Sequence, residues 1–215
     1  MKKISKRHSF SSKYSTTDIE FETGSKNRVL KNKLGIISIR EMNDREIIEY
    51  VKGTKKLAEY FSFDHSFSHV DICLIHKTIF GNIYEWAGEY RNVEMSKDGF
   101  VFARAKYIPD LMKEFSKSLL QPQTPPNTNS SKDLSQILAK IHVEFILIHP
   151  FREGNGRTIR LLLSMIAQQA QYAGMDFGFI KDKGKEYKRY ITAIQSGMKG
   201  NYELMEEIIE QALSC

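Results

Sequence analysis

Cysteine is scarce in this sequence: the 215 residues contain only two, Cys73 within an apolar run and Cys215 at the last position. Two cysteines at these positions cannot form a disulfide framework, and neither has neighbours at the spacing of metal ligands. We therefore expect neither a disulfide-stabilised secreted domain nor a zinc module, and a reducing cytoplasm is the expected location.

Long apolar runs are also missing. No stretch reaches about 18 apolar residues, the length typical of a membrane-spanning helix, and the basic residues at the start are not followed by an apolar segment. We expect no membrane span and no export signal. The net charge of +6 is concentrated in residues 1–35, and so modest an excess does not favour nucleic-acid binding.

Strand-like alternation is confined to residues 91–104. Val93 and Met95 alternate with polar neighbours, "KDG" is a turn signal, and residues 100–102 resume the alternation, which predicts a β-hairpin. No third strand is apparent, so we expect one edge of the hairpin to stay open to solvent or to a partner.

Elsewhere the apolar residues recur at helical spacing, interrupted by a proline-rich loop at 121–133. The first helix is predicted to begin at an N-cap at Asn43 or Asp44, and the second near Ser68. The predicted fold class is all-α with one small β-hairpin. Residues 1–27 are expected to be a flexible basic extension, and residues 28–215 to form one domain.

The stretch "HPFREGNGRTIR", residues 149–160, is a polar segment between two apolar helices. His149 stands at the end of the first helix, where Pro150 disfavours helical geometry. Two glycines flank Asn155, which predicts a turn with outward-pointing N–H groups before a helix that starts near Gly156.

Three features of this turn predict a polyphosphate pocket. The helix start has orphan N–H donors and the positive end of the dipole, and Arg157 and Arg160 share one face above it. Glu153 beside bound phosphates is explained as a Mg²⁺ ligand, and His149, with an ordinary pKa of about 6.5, can accept a proton from a hydroxyl. These residues identify a phosphate-transfer site but not which phosphorus is attacked.

A structural reading of the same residues is a hydrogen-bonded histidine at a helix end beside a surface cluster of ion pairs. Each residue alone fits that reading. Their combination within twelve residues favours the pocket.

The stretch matches in full the Fic-family motif HxFx(D/E)GNGRxxR. Residues 75–103 also resemble the helix and flap hairpin of that family, and the resemblance covers roughly residues 28–212. The motif positions are His149, Phe151, Glu153, Gly154, Asn155, Gly156, Arg157 and Arg160.

The resemblance implies a protein adenylyltransferase that moves AMP from ATP to a Ser, Thr or Tyr hydroxyl of a target protein. His149 would be the general base, and Glu153 would hold Mg²⁺ on the α and β phosphates. Phe151 would anchor the loop. The nucleotide would be bound by Asn155 and the Gly154 and Gly156 amides, by Arg157 on the β and Arg160 on the γ phosphate, and by Tyr190, Tyr187 and Tyr107 around it.

The resemblance also implies partners. An extended segment of the target would pair with the open edge of the hairpin flap. Many relatives carry an inhibitory helix, (S/T)xxxE(G/N), whose Glu would pair with Arg160. Here Thr16 to Glu20 fits only its first half, because Phe21 follows. A small antitoxin-like inhibitor in trans, or no such restraint, is therefore expected.

Two other functions remain open. A kinase like the Doc toxins of the same superfamily would move the γ phosphate, but its motif has a lysine in the region of the second glycine, and Gly156 is intact here. A non-catalytic nucleotide-binding module is the third reading, and the intact His149 argues against it.

Overall fold

A computed structural model describes residues 15–16, 21–97, 100–128, 130–180 and 184–213. The fold is mainly helical with one small sheet, as predicted. Within the described residues, no helix has both the length and the apolar character that crossing a membrane requires. The helices are α1 Ile39–Tyr60, α2 His69–Phe80, α3 Ile108–Phe115, α4 Ser131–Ile148, α5 Asn155–Gln169, α6 Lys185–Gly197 and α7 Glu203–Leu213.

Helix α1 begins earlier than predicted. Its N-cap is Ser38, in extended geometry, whose side chain accepts a hydrogen bond from the Glu41 N–H. Asn43 and Asp44 lie inside the helix, so the N-cap prediction was wrong. The prediction for α2 is confirmed, because Ser68 forms a capping box with Asp71.

Helix α4 is the centre of the molecule. It packs against α3, α5, α6 and α7, while α1 packs on α2 and α2 on α5. The helix has buried residues on several faces, including Ala139, Ile141 and Val143, each with no exposed surface. A helix enclosed in this way holds its C-terminal end rigidly, and that end leads into His149.

The hairpin consists of β2, Met95–Lys97, and β3, Phe100–Val101, paired antiparallel with Ser96 opposite Val101. After β3 the chain is bound to α4, since the Ala103 N–H donates to the Leu147 carbonyl over 3.4 Å. The edge on which a further strand can be added is therefore that of β2.

A third strand occupies that edge. Residues Ser15–Thr16 form β1, which runs antiparallel to β2 with Ser15 opposite Ser96 and Thr16 opposite Met95. The expectation of an open hairpin edge was wrong. A strand of two polar residues is too short to produce an alternating pattern, so this strand cannot be predicted from the sequence.

Candidate active site

His149 ends α4 in a left-handed conformation, with φ 53° and ψ 60°. Its N–H still donates to the Phe145 carbonyl at 2.9 Å, completing the last turn. Pro150 disfavours the right-handed helical region for the residue before it, and the left-handed alternative costs about 1–2 kcal/mol in a residue other than glycine. The surrounding structure must hold the chain in this turn.

Arg91 provides much of that restraint, and sequence reasoning missed it. Its side chain is buried, with Nε donating to the His149 carbonyl at 2.8 Å and Nη1 to the Val93 carbonyl at 2.6 Å. Nη2 donates to the Ala103 carbonyl at 2.5 Å. Burial lowers the pKa of Arg91, and the charge of Glu94 acts in the opposite direction. One guanidinium thus joins the His149 turn to both sides of the flap.

The imidazole of His149 is oriented by the flap as well. It stacks on the ring of Phe102, with centroids 3.8 Å apart and an interplanar angle of 14°. The side chain has little exposure and lies on the wall of a cavity.

The side-chain amide of Asn155 closes the loop from Phe151 to Asn155 by hydrogen bonds to the Phe151 backbone. The Asn155 Oδ1 accepts from the Phe151 N–H at 2.8 Å, and Nδ2 donates to the Phe151 carbonyl at 2.8 Å. Asn155 is buried, so this side chain shapes the loop and does not face the cavity. Phe151 is fully buried, as expected from the resemblance.

His76, on α2, supports the same loop and was also missed. Its ring stacks on Phe151 at 3.9 Å. Nδ1 accepts from the Gly88 N–H at 2.8 Å, so Nε2 carries the proton and donates to the Glu153 carbonyl at 3.0 Å. Burial lowers the pKa of His76 to about 4, which keeps it neutral.

Gly154 is required at the start of α5. Its φ is 82°, and a Cβ there would lie 2.3 Å from the ring of Phe80. Within the part of the chain that the structure describes, no side chain makes a capping hydrogen bond at this helix start. The N–H groups of the first turn are therefore not taken by a capping residue, which is the condition for an anion site.

The two motif arginines have different surroundings. The Arg157 Nη1 lies 2.7 Å from Glu46 Oε2, Nη2 lies 3.6 Å from Glu153 Oε1, and the guanidinium covers the Phe80 ring at 4.6 Å. The Arg160 guanidinium lies 5.7 Å from the Phe177 ring centre. Among the described residues, no carboxylate forms an ion pair with Arg160.

Glu153 is suited to bind a metal ion that enters the site together with a nucleotide. Its Oε1 accepts from the Gly154 N–H at 3.0 Å. In the described parts of the chain, no cluster of three or more His, Cys, Asp or Glu side chains could hold a metal ion. Mg²⁺ on phosphates commonly takes one or two protein carboxylates and completes its shell with phosphate oxygens and water. One carboxylate beside an anion site suits that arrangement.

A cavity of about 250 Å³ brings most of the predicted residues together. Lys97, Phe100 and Phe102 of the flap close one side. Tyr107 is not among the lining residues and is half-exposed, with the Lys106 ammonium over its ring. The predicted residues that line the cavity are His149, Glu153, Gly154, Gly156, Arg157, Arg160, Tyr187 and Tyr190.

The tyrosines of α6 are held by hydrogen bonds. The Tyr187 hydroxyl accepts from the Lys97 ammonium at 2.7 Å, which joins α6 to the flap. The Tyr190 hydroxyl lies 2.7 Å from His142 Nε2. Burial lowers the pKa of His142 to about 3 and raises that of Tyr190 to about 12, so both are neutral near pH 7.

Comparison with known proteins agrees with this geometry. Residues 66–167 match the profile of the Fic/DOC family, and this part of the chain is a Fic domain. The protein adenylyltransferase VbhT of Bartonella schoenbuchensis is 30% identical over 198 residues, which cover 90% of this chain and 38% of that protein. The probable protein adenylyltransferase y4lH of Sinorhizobium fredii is 28% identical over 174 residues, covering 80% of this chain and 85% of its own length.

A solved structure shares the fold. The VirB-translocated effector protein BepC of Bartonella tribocorum, crystallised with bound AMPPNP, has a TM-score of 0.69 and 26% identity. The match covers 85% of this chain and 91% of that one. The chain spans well under half of the first curated relative and most of the second.

Proposed function

We propose that this chain is a protein adenylyltransferase, which transfers AMP from ATP to a Ser, Thr or Tyr hydroxyl of a target protein. One observation carries the proposal: the imidazole of His149 and the uncapped start of α5 open into the same cavity. A base and an anion site in one cavity suit attack of a hydroxyl on a phosphorus.

In the proposed reaction the target oxygen attacks the α phosphorus while the bond to the bridging oxygen of the β phosphate breaks. The proton of the hydroxyl passes to His149, and pyrophosphate leaves with the electron pair of the broken bond. Glu153 would hold Mg²⁺, which when bound neutralises phosphate charge. Phe102 keeps the imidazole in a fixed plane beside the cavity.

The phosphates would be held by the N–H groups of Asn155 and Gly156 and by the two arginines. The Gly154 N–H donates to Glu153 in this structure, so it would join them only by leaving that carboxylate. We assign Arg157 to the β and Arg160 to the γ phosphate. Asn155 would contribute through its backbone N–H, because its side chain is engaged within the loop. Tyr187 and Tyr190 would enclose the rest of the nucleotide, whereas the position of Tyr107 gives that assignment no support.

The target would bind to the edge of β2, by adding a strand to the flap. Residues Ser15–Thr16 pair with this edge in the present structure. A target segment can use the same backbone groups only when β1 leaves them.

Inhibition would come from a separate antitoxin-like protein that supplies a carboxylate to Arg160. Arg160 has no ion-pair partner within the described residues, which supports this proposal. Glu20, the residue at the glutamate position of the partial inhibitory pattern, lies outside the described residues.

Incubation with Mg²⁺, a cell lysate and ATP labelled on either phosphorus tests the function. We expect label from the α position on protein, and none with His149→Ala, which should still bind ATP. Label from the γ position alone would indicate a kinase. Absence of both labels, with ATP binding intact, would indicate a non-catalytic nucleotide-binding module.

A further inference from the structure

We propose that Glu46 is a positioning residue for the nucleotide site. Its carboxylate holds the guanidinium of Arg157 at the wall of the cavity and keeps it from closing on Glu153. The inference rests on the proposed function, in which Arg157 binds a phosphate and Glu153 holds Mg²⁺. Glu46 lies on α1, outside the 66–167 segment that matches the family.

Both oxygens of Glu46 are engaged. Oε2 lies 2.7 Å from Arg157 Nη1, and Oε1 accepts from the Tyr84 hydroxyl at 2.8 Å. Glu46 is 8% exposed and Tyr84 is 2% exposed. Burial, with the charge of Glu46, raises the pKa of Tyr84, so its hydroxyl remains a donor at neutral pH. A carboxylate with two such partners has a fixed orientation.

Arg157 stands between two acids, and the nearer one is Glu46. The separation to Glu153 is 3.6 Å, against 2.7 Å to Glu46. Burial acts to lower the pKa of Arg157, but the carboxylates of Glu46 and Glu153 hold it above its ordinary value. A guanidinium has five N–H donors, so the contact with Glu46 leaves others for a ligand in the cavity.

A second buried glutamate on the same helix provides a comparison. Glu49 is 3% exposed and bonds to Asn82 at 2.6 Å and to Arg45 at 3.0 Å. Neither partner lines the cavity. Glu46 and Glu49 thus share a helix and a degree of burial, and they differ in whether the partner belongs to the site.

Removal of Glu46 has a specific consequence. Glu153 is then the acid that the structure places beside Arg157, with Oε1 3.6 Å from Nη2. In a partly buried site their attraction is strong, so the guanidinium is expected to close on Glu153. That contact would compete with Mg²⁺ for the Glu153 carboxylate.

The test measures binding of a fluorescent ATP analogue as Mg²⁺ is titrated, with His149→Ala in every protein so that no chemistry occurs. We expect Glu46→Gln to raise the Mg²⁺ concentration at half-maximal binding by about tenfold, equivalent to ~1.4 kcal/mol. Glu49→Gln should leave this concentration unchanged. Thermal melting identifies any variant that fails to fold.

Two further variants complete the test. Glu46→Asp keeps the charge on a shorter side chain that cannot reach Arg157 as closely, so it should also raise the Mg²⁺ concentration at half-maximal binding. This variant replaces Glu46→Gln if Glu46→Gln does not fold. In the Arg157→Met background, Glu46→Gln should have no additional effect, because Glu46 acts through Arg157.

The proposal is overturned by an unchanged Mg²⁺ dependence in both Glu46 variants. An equal effect of Glu49→Gln, or an effect that persists without Arg157, overturns it too. The proposed function fails separately, if the unsubstituted protein transfers no α label. The binding measurement still decides the role of Glu46 in that case.

Discussion

The rings of His149 and Phe102 lie nearly parallel, 3.8 Å apart at their centroids, and they join the end of the central helix to the flap. The flap therefore serves two purposes in the proposed reaction, since the hairpin that would bind the target also orients the base. Damage to this stack should affect the chemical step more than nucleotide binding.

Replacement of Phe102 by alanine should lower kcat for transfer by roughly tenfold, because the imidazole loses the surface that fixes its plane. The affinity for ATP should change little. Single-turnover transfer and equilibrium binding separate the two effects. Val101→Ala, at an exposed neighbour, is the control. Equal losses in both variants would argue against the stack.

Arg91→Lys should destabilise the protein by about 2–4 kcal/mol, because an ammonium cannot replace the guanidinium at carbonyls on both sides of the flap. Unfolding in urea measures the change. Arg104→Lys, at an exposed position, should cost little. A stability of Arg91→Lys close to that of the unsubstituted protein would mean that the carbonyls find other donors.

Arg160→Ala should weaken ATP binding by roughly 1.5–3 kcal/mol through loss of a charge-assisted contact with the γ phosphate. ADP has no γ phosphate, so its affinity should be nearly unchanged. Calorimetric titrations with both nucleotides provide the comparison. Equal weakening for ATP and ADP would move Arg160 away from the γ phosphate.

Stability should fall as the pH decreases from 6.5 towards about 4, because the pKa of His76 is lowered by burial from 6.5 to about 4. The unfolded chain takes up a proton in this window while the folded protein does not, so His76 favours unfolding there. Its full effect is on the order of 3 kcal/mol. His142, with a pKa of about 3, acts in the same direction.

His76→Gln removes one of these titrations. The variant should be less stable at pH 7, because ring packing is lost, yet its unfolding midpoint in urea should depend less steeply on pH between 6.5 and 4. An unchanged slope would show that other groups cause the acid sensitivity.

Deletion of residues 1–20 should increase transfer to a target that binds by strand addition, since β1 then no longer occupies the edge of β2. The KM for the target should fall and the KM for ATP should stay constant. Thr16→Pro, which removes a backbone donor, should act in the same direction. Unchanged or slower transfer in both variants would mean that β1 and the target do not compete.

The sequence was most informative where the cause of structure is local. The capping box at Ser68 needs only Asp71, three residues away, and the buried spacing of α4 is visible within one window. The motif at 149–160 is contiguous, so its polar residues could be assigned to one site without knowledge of the fold. The hairpin was predicted for the same reason, through alternation and a turn signal.

The missed features involve partners that are distant in the chain. Arg91 bonds to a carbonyl 58 residues away, and Glu46 pairs with an arginine 111 residues away. Each of these residues resembles an ordinary charged residue in its own segment. The strand at Ser15–Thr16 is too short for any periodicity.

The sequence by itself determined the helical class, the hairpin and the position of a polar motif between two apolar helices, because helix periodicity, turn chemistry and the motif all act over a few residues. Only the tertiary structure decided how His149 is held, which acid restrains Arg157 and what covers the flap edge. Those answers depend on burial, because a buried charge without a partner or a buried carbonyl without a hydrogen bond is costly. Burial exists only after distant segments have packed together.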